Sequence, residues 1–84
     1  MRSRRFQRTI VVTRHAQQRM EERGIDGARL LDLIDSGETR YKDATRLWIY
    51  KEYADRDDNL LCVAAVLLED TLVVKTAMHR FELS

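Results

Sequence analysis

The sequence predicts an α+β domain in which two N-terminal helices pack on a small antiparallel sheet, in the order β-α-α-β-β-β. Apolar residues recur at helical spacing through residues 14–36, and from residue 46 onward the spacing changes to two. Apolar residues make up 44% of the 84-residue chain, so we expect residues 1–84 to form a single domain with one modest core. We expect residues 1–7 to form a flexible basic arm.

The first helix follows a short strand, which the β-branched side chains of residues 9–12 predict. Thr13 is a good N-cap because its hydroxyl can accept a hydrogen bond from a free amide of the first turn. The helix is predicted to run to Arg23, with Gly24 as the glycine that commonly follows a helix end.

The second helix is predicted to begin after Asp26, to run through "GARLLDLIDS" and to end at Gly37. Its apolar residues lie three and four positions apart, and therefore share one face. We expect this face to pack against the sheet through Leu30, Leu33 and Ile34.

Three strands are predicted after Gly37. The segment "RLWIYKEY" (46–53) alternates, and "LLCVAAVLL" (60–68) is apolar on both faces, as in a central strand. Between them, "DRDDN" (55–59) predicts an acidic turn. The last strand, "TLVVKTAMH" (71–79), also alternates, and its apolar row is expected to contain Leu72, Val74, Thr76 and Met78.

Charge is distributed unevenly along the chain, although the net charge is only +1. Residues 1–30 carry a net charge of +5 and residues 31–84 a net charge of −4. This asymmetry is typical of a phosphate-binding end, although a frayed basic terminus gives the same pattern.

The chain has too few cysteine and histidine residues for a disulfide or a typical metal site. Cys62 is the single cysteine, which excludes an intrachain disulfide, and its apolar surroundings favour a buried side chain over a catalytic thiol. His15 and His79 are the only histidines, and they do not form a known metal-binding motif, so we expect no metal site and no cofactor. The longest apolar run has nine residues, which is too short to span a membrane, so we expect a cytoplasmic protein.

One face of the first helix carries the candidate chemistry. His15, Arg19 and Arg23 are spaced by four residues and therefore align along the helix, with Glu22 on the same side. The positive helix start and Arg19 both disfavour a second positive charge, so we expect a neutral imidazole that can accept a proton. Arg19 and the free amides of the first turn could hold a phosphate. A solvated helix face with a histidine near its cap fits the same spacing.

Other residues are expected to join such a site. Thr76 is the one polar residue on the expected apolar row of the last strand, and it could meet the start of the first helix; a buried threonine bonded to the backbone is the alternative. Trp48, Tyr50 and Tyr53 could stack bases, or could pack between strands. Basic residues expected to contact nucleic acid are Arg8, Arg14, Arg23, Lys75, His79 and Arg80.

The segments "TRHAQQRMEERGI" and "LVVKTAMHRFEL" resemble a small uncharacterised bacterial domain family. Its members open with His-Ala-x-x-Arg-Met-x-x-Arg-Gly-Ile and end on a Val-x-Thr strand, and the resemblance covers about residues 9–83. The family has been grouped with RelE- and BrnT-like toxins and the barnase–colicin nuclease class. This resemblance implies a RelE-like fold and a ribonuclease of a toxin–antitoxin or phage-related system, with motif residues His15, Arg19, Arg23 and Thr76. Departures from RelE-type toxins are the nearly neutral charge and Phe81 where a tyrosine hydroxyl would be useful.

We therefore expect a metal-independent endoribonuclease that cleaves RNA by attack of the 2′-hydroxyl, with His15, Arg19 and Thr76 as catalytic residues. RNA and a cognate antitoxin protein are the expected partners. The alternative is a non-catalytic module on the same fold that binds nucleic acid or protein. A structural protein that uses its acidic turn and exposed aromatic residues is a third hypothesis, for which the sequence gives no specific support.

Overall fold

The computed structural model describes residues 1–54 and 60–79, with Leu60 and His79 described by their backbone only. The protein is an α+β domain with two helices and one six-stranded sheet of order β1-β2-β6-β5-β4-β3. The predicted order fits, with two short strands added. The elements are β1 (Arg2–Ser3), β2 (Arg8–Val12), α1 (Arg14–Glu22), α2 (Gly27–Ser36), β3 (Glu38–Tyr41), β4 (Arg46–Glu52), β5 (Leu60–Leu67) and β6 (Thr71–His79).

The prediction of a purely antiparallel sheet is wrong, because β2 runs parallel to β6. The other neighbouring strands are antiparallel. The two helices carry the chain from β2 to the opposite edge of the sheet, where β3 begins. Three antiparallel steps then bring β6 back beside β2 in the same direction, so a parallel pair follows from this topology.

Both helices contribute to one core on one face of the sheet, which we call the inner face. The predicted apolar face of α2 is confirmed, since its three leucine and isoleucine side chains are fully buried. The strands contribute the inward-facing rows, and α1 contributes two side chains. The buried residues of the inner face include Ala16, Met20, Leu30, Leu33, Ile34, Leu47, Ile49, Leu61, Val63, Ala65, Leu72, Val74 and Ala77.

The predicted helix caps are confirmed. The hydroxyl of Thr13 accepts from the amide of Ala16 at 3.1 Å, and the carboxylate of Asp26 accepts from the amide of Arg29 at 2.8 Å. Gly24 follows α1 with φ +64°, a left-handed conformation that glycine adopts without a steric penalty from Cβ.

Residues 1–7 differ from the flexible arm that composition suggests, because they pack against α2. β1 pairs with β2, and the buried hydroxyl of Ser3 donates to Asp35 at 2.5 Å. The Arg5 guanidinium donates to the carbonyls of Ile34 and Gly37. The last carbonyls of a helix lack intrahelical partners, so a cation at this position is stabilising.

The β5–β6 pairing contains a bulge, and because of it the predicted apolar row of the last strand is wrong beyond Val74. Ala64 pairs with Thr76 and Ala65 with Val74, so Lys75 is the extra residue. Beyond the bulge the alternation is inverted, because Ala77 joins the buried inner face. Thr76 therefore lies on the opposite, outer face and does not share the row of Leu72 and Val74.

A polar cluster joins α2 to β4 at the side of the domain. Asp32 accepts from the Tyr53 hydroxyl at 2.6 Å and from the Lys51 ammonium at 3.0 Å. The hydrogen bond from Tyr53, followed by that from Lys51, lowers the pKa of the Asp32 carboxyl. Tyr53 is buried and also lies under the guanidinium of Arg29, 4.5 Å from its ring centroid, so it serves packing rather than base stacking.

The acidic turn predicted at residues 55–59 and the site residue Arg80 lie outside the described residues. Within the described part of the chain, neither helix has the length and apolar character that a membrane crossing requires.

Replacement of Gly37 by alanine is expected to lower the free energy of unfolding by about 1–3 kcal/mol. The new Cβ would lie 2.5 Å from the Leu33 carbonyl oxygen and 2.8 Å from the Tyr50 carbonyl oxygen, where backbone must move. Urea unfolding measures the change. Gly27→Ala is the control, because its Cβ would meet only the flexible end of Met1 at 3.2 Å. Equal stability of the two variants would contradict the close packing at Gly37.

Candidate functional site

The start of α1 and the bulge of β6 are joined through one residue, Thr13. Its amide donates to the carbonyl of Val74 at 3.2 Å, which extends the parallel pairing of β2 with β6. Its hydroxyl accepts from the Ala16 amide and donates to the carbonyl of Lys75 at 3.2 Å. The same side chain therefore caps the helix and fixes the bulge residue. We call this region, residues 13–15 and 74–76, the helix–bulge junction.

His15 lies in the first turn of α1, two residues beyond Thr13. Its side chain is exposed and makes no hydrogen bond with the described residues. The amides of Arg14 and His15 likewise donate to none of the described residues, as is usual for the first turn of a helix. An exposed imidazole beside free amides can accept a proton and bind an anion.

Arg19 and Arg23 share an acidic neighbour on α1. The Arg19 guanidinium lies 3.1 Å from the Glu22 carboxylate, and that of Arg23 lies 3.8 Å from the same oxygen. The Arg19 side chain is 43% exposed and that of Arg23 is only 21% exposed. A phosphate at this face must compete with Glu22. The competition is mild at Arg19, because exposed ion pairs stabilise proteins by only about 0–1 kcal/mol.

Thr76 does not meet the start of α1 in the way that the sequence predicts. Its backbone is next to Lys75 and therefore belongs to the helix–bulge junction, but its side chain lies on the outer face, in register with Ala64 and Trp48. The helices pack on the inner face. The structure thus links the backbones of the α1 start and the bulge through Thr13, and it places the Thr76 side chain on the face opposite the helices. Lys75 is exposed at the same bulge.

The remaining predicted site residues are scattered. Arg8 donates through Nε to the Leu68 carbonyl at 2.7 Å and through Nη1 to the Phe6 carbonyl at 2.8 Å, so it ties β2 to neighbouring loops. Arg14 is exposed and lines a shallow depression on α1 with Gln17, Gln18 and Glu21. His79 ends β6, where its backbone pairs with Leu61.

Sequence reasoning missed two cations of the outer face, Lys42 and Arg46. Together with Lys75 they surround a groove of about 170 Å³ whose wall includes Trp48. Strand alternation places Trp48 opposite the core residues Leu47 and Ile49. The combination of an outward tryptophan and two flanking cations was the available signal in the sequence.

Cys62 is fully buried, and burial raises the pKa of its thiol to about 12. A thiolate is therefore strongly disfavoured, in agreement with the prediction of a buried cysteine. Among the described residues, no three His, Cys, Asp or Glu side chains converge in a group that could hold a metal ion.

Replacement of Thr13 by valine is expected to lower the free energy of unfolding by about 1–2 kcal/mol, because the helix loses its cap and the bulge loses its hydroxyl donor. Thr13→Ser keeps the hydroxyl and is the matched control. Urea unfolding of the two variants measures the difference. If the valine variant were as stable as the serine variant, the hydroxyl would not hold the junction.

Comparison with known proteins gives one match. No curated protein and no solved structure matches the chain. Residues 12–79 match DUF4258, a domain of unknown function, and the match includes both helices and the strands β3 to β6. Because this match covers most of the chain, the protein belongs to the DUF4258 family.

Proposed function

We propose that this domain binds RNA at the helix–bulge junction and cleaves it without a metal ion, as an endoribonuclease of the toxin–antitoxin type. The observation that supports the proposal is the exposed His15 in the first turn of α1, since the cap residue of that helix, Thr13, also donates to the backbone carbonyl of Lys75. A proton acceptor and a positive helix end therefore lie together at the start of α1, and the backbone of Lys75 is bonded to its cap residue.

These groups suit cleavage by an internal nucleophile. His15 removes the proton of a ribose 2′-hydroxyl, the 2′-oxygen forms a bond to phosphorus, and the bond from phosphorus to the 5′-oxygen breaks. The leaving 5′-oxygen takes a proton from water. The products are a 2′,3′-cyclic phosphate and a 5′-hydroxyl end. The free amides of the α1 start stabilise the charge on the phosphate oxygens.

Arg19 has a secondary part in this proposal. It lies one turn beyond His15, and its pairing with Glu22 leaves guanidinium donors that a phosphate can engage. Arg23 is more enclosed and therefore supports the helix face rather than the substrate. Thr76, on the outer face, contacts RNA that crosses the sheet and does not orient His15.

The motif on α1 and the β-α-α-β-β-β order support a relationship to RelE- and BrnT-like toxins. A cognate antitoxin protein is the partner that this relationship implies. The nearly neutral net charge is the feature in which the chain differs from strongly basic toxins of that class.

The second candidate is a non-catalytic nucleic-acid-binding module on the same fold. Glu22 favours it, because this carboxylate neutralises part of the positive charge of Arg19 and Arg23. Such a module binds RNA with an affinity that falls steeply with salt, and it leaves the RNA intact.

Replacement of His15 by alanine is expected to reduce the rate of RNA cleavage by at least about 100-fold, because the reaction loses its general base. Purified protein is incubated with RNA in the presence of a chelator, and the new 5′-hydroxyl ends are labelled and counted. Gln17→Ala, an exposed change two residues further along α1, is the control and should leave the rate unchanged.

Equal cleavage by both variants would assign the activity to a contaminant. Salt-dependent RNA binding without cleavage by the wild-type protein would favour the binding module.

A further inference from the structure

The outer face of the sheet carries cations at one end and a carboxylate at the other. No helix among the described residues packs on this face. Cross-strand register aligns Arg40, Trp48, Ala64 and Thr76 in one row, and Glu38, Tyr50, Cys62 and Met78 in the next. A polyanion on this face is therefore directed towards the Trp48 row and away from Glu38.

The groove at the cationic end is shaped by side-chain size. Ala64 lies between the larger Trp48 and Thr76 in adjacent strands, so its methyl group forms a low floor. The extra residue of the bulge, Lys75, lines one side of the groove, and Lys42 and Arg46 line the other. The volume of about 170 Å³ is below the range of about 300–1,000 Å³ for pockets that enclose a drug-sized ligand. The groove therefore suits one ring system rather than a whole cofactor.

A carboxylate beside these cations belongs to the β3–β4 turn. Asp43 accepts from the amides of Thr45 and Arg46 at 3.0 and 2.8 Å, and these bonds hold the pKa of its carboxyl well below the usual range. The Arg46 Nε also donates to Asp43, at 2.6 Å. This bond fixes the guanidinium at the rim of the groove, and within the described part of the chain its two terminal amino groups have no hydrogen-bond partner, so they can bind a ligand. Lys42 and Lys75 are both exposed at the groove.

We propose that this groove is a subsite for single-stranded RNA, in which Trp48 stacks on an unpaired base and Lys42, Arg46 and Lys75 contact the flanking phosphates. An aromatic ring among several cations is complementary to a nucleotide, since the ring offers stacking and the cations offer phosphate contacts. Lys75 also belongs to the helix–bulge junction, so a strand bound in the groove continues towards His15. The proposal deepens the proposed function, on which its choice of RNA as ligand rests, by naming single-stranded RNA as the substrate.

Trp48 is the only tryptophan of the chain, so its fluorescence reports on the groove alone. The probe is an oligoadenylate of about ten nucleotides in which every 2′-hydroxyl is methylated. This probe cannot be cleaved by 2′-hydroxyl attack, so binding is measured independently of catalysis. We expect its binding to quench Trp48 fluorescence, with an affinity that falls as salt is raised.

Lys75→Gln and Lys42→Gln are each expected to weaken binding by up to about fivefold. Each should also reduce the slope of log affinity against log salt by about 0.7, the contribution of one phosphate contact on a single strand. Lys51→Gln is the matched control, because this lysine pairs with Asp32 beside α2, away from the groove. Trp48→Leu should weaken binding about 5- to 150-fold, measured by anisotropy of a labelled probe.

Binding detected by anisotropy without a change in Trp48 fluorescence would overturn the groove proposal, as would equal effects of Lys75→Gln and Lys51→Gln. Heparin that competes fully with the oligonucleotide and causes the same quenching would reduce the groove to a general polyanion site and overturn its assignment to RNA. If unmodified RNA were cleaved while the groove variants bound normally, the groove proposal would fail and the proposed function would stand. If the oligonucleotide bound in the groove but RNA were never cleaved, the groove proposal would stand and the proposed nuclease function would fail.

Discussion

The hydroxyl of Thr13 is the contact on which the arrangement of this domain depends. It accepts from the first turn of α1 and donates to the carbonyl of the bulge residue Lys75. The amide of the same residue continues the parallel pairing of β2 with β6. One residue thus joins the start of α1, the bulge and the parallel strand pair, so a displacement of one of them displaces the other two. These hydrogen bonds hold the first turn of α1, which contains His15, against the backbone of the bulge.

The bulge has consequences for both faces of the sheet. It brings Ala77 into the core and turns Thr76 to the outer side, where Lys75 also lies. Without the extra residue, Thr76 would stay on the inner row beneath the helices. The bulge therefore adds the Thr76 hydroxyl, next to the Lys75 cation, to the face that carries Trp48. Bulges commonly redirect a side chain in this way next to functional sites.

Local signals in the sequence predicted the local structure well. The caps at Thr13 and Asp26, the left-handed glycine after α1 and the buried face of α2 each follow from patterns within a few residues. The periodicity of two likewise predicted β4 and most of β6, and a continuous apolar run predicted β5. The short strands β1 and β3 were missed, because their pairing depends on distant partners rather than on their own composition. Parallel neighbours such as β2 and β6 are also invisible to local periodicity.

The candidate site was predictable only in part, for the same reason. The exposure of His15 and the proximity of Arg19 to Glu22 follow from helical spacing. The position of Thr76 does not follow from local spacing. A single extra residue in a strand leaves no local signature, and it moves every later side chain to the opposite face of the sheet. Lys42 and Arg46 lie at the site because of the way the strands pair. That register depends on several strands at once, so no single segment of the sequence predicts it.

We propose that the start of α1 and the groove beside the bulge form one continuous RNA-binding surface. The most direct test is a nuclear magnetic resonance titration of ¹⁵N-labelled protein with the methylated oligoadenylate. Such a surface is expected to show chemical-shift changes at the amides of His15, Lys75 and Thr76 and at the indole N–H of Trp48, in one concentration-dependent transition. Changes confined to α2 and the Asp32 cluster, or changes at Trp48 without any at His15, would contradict it.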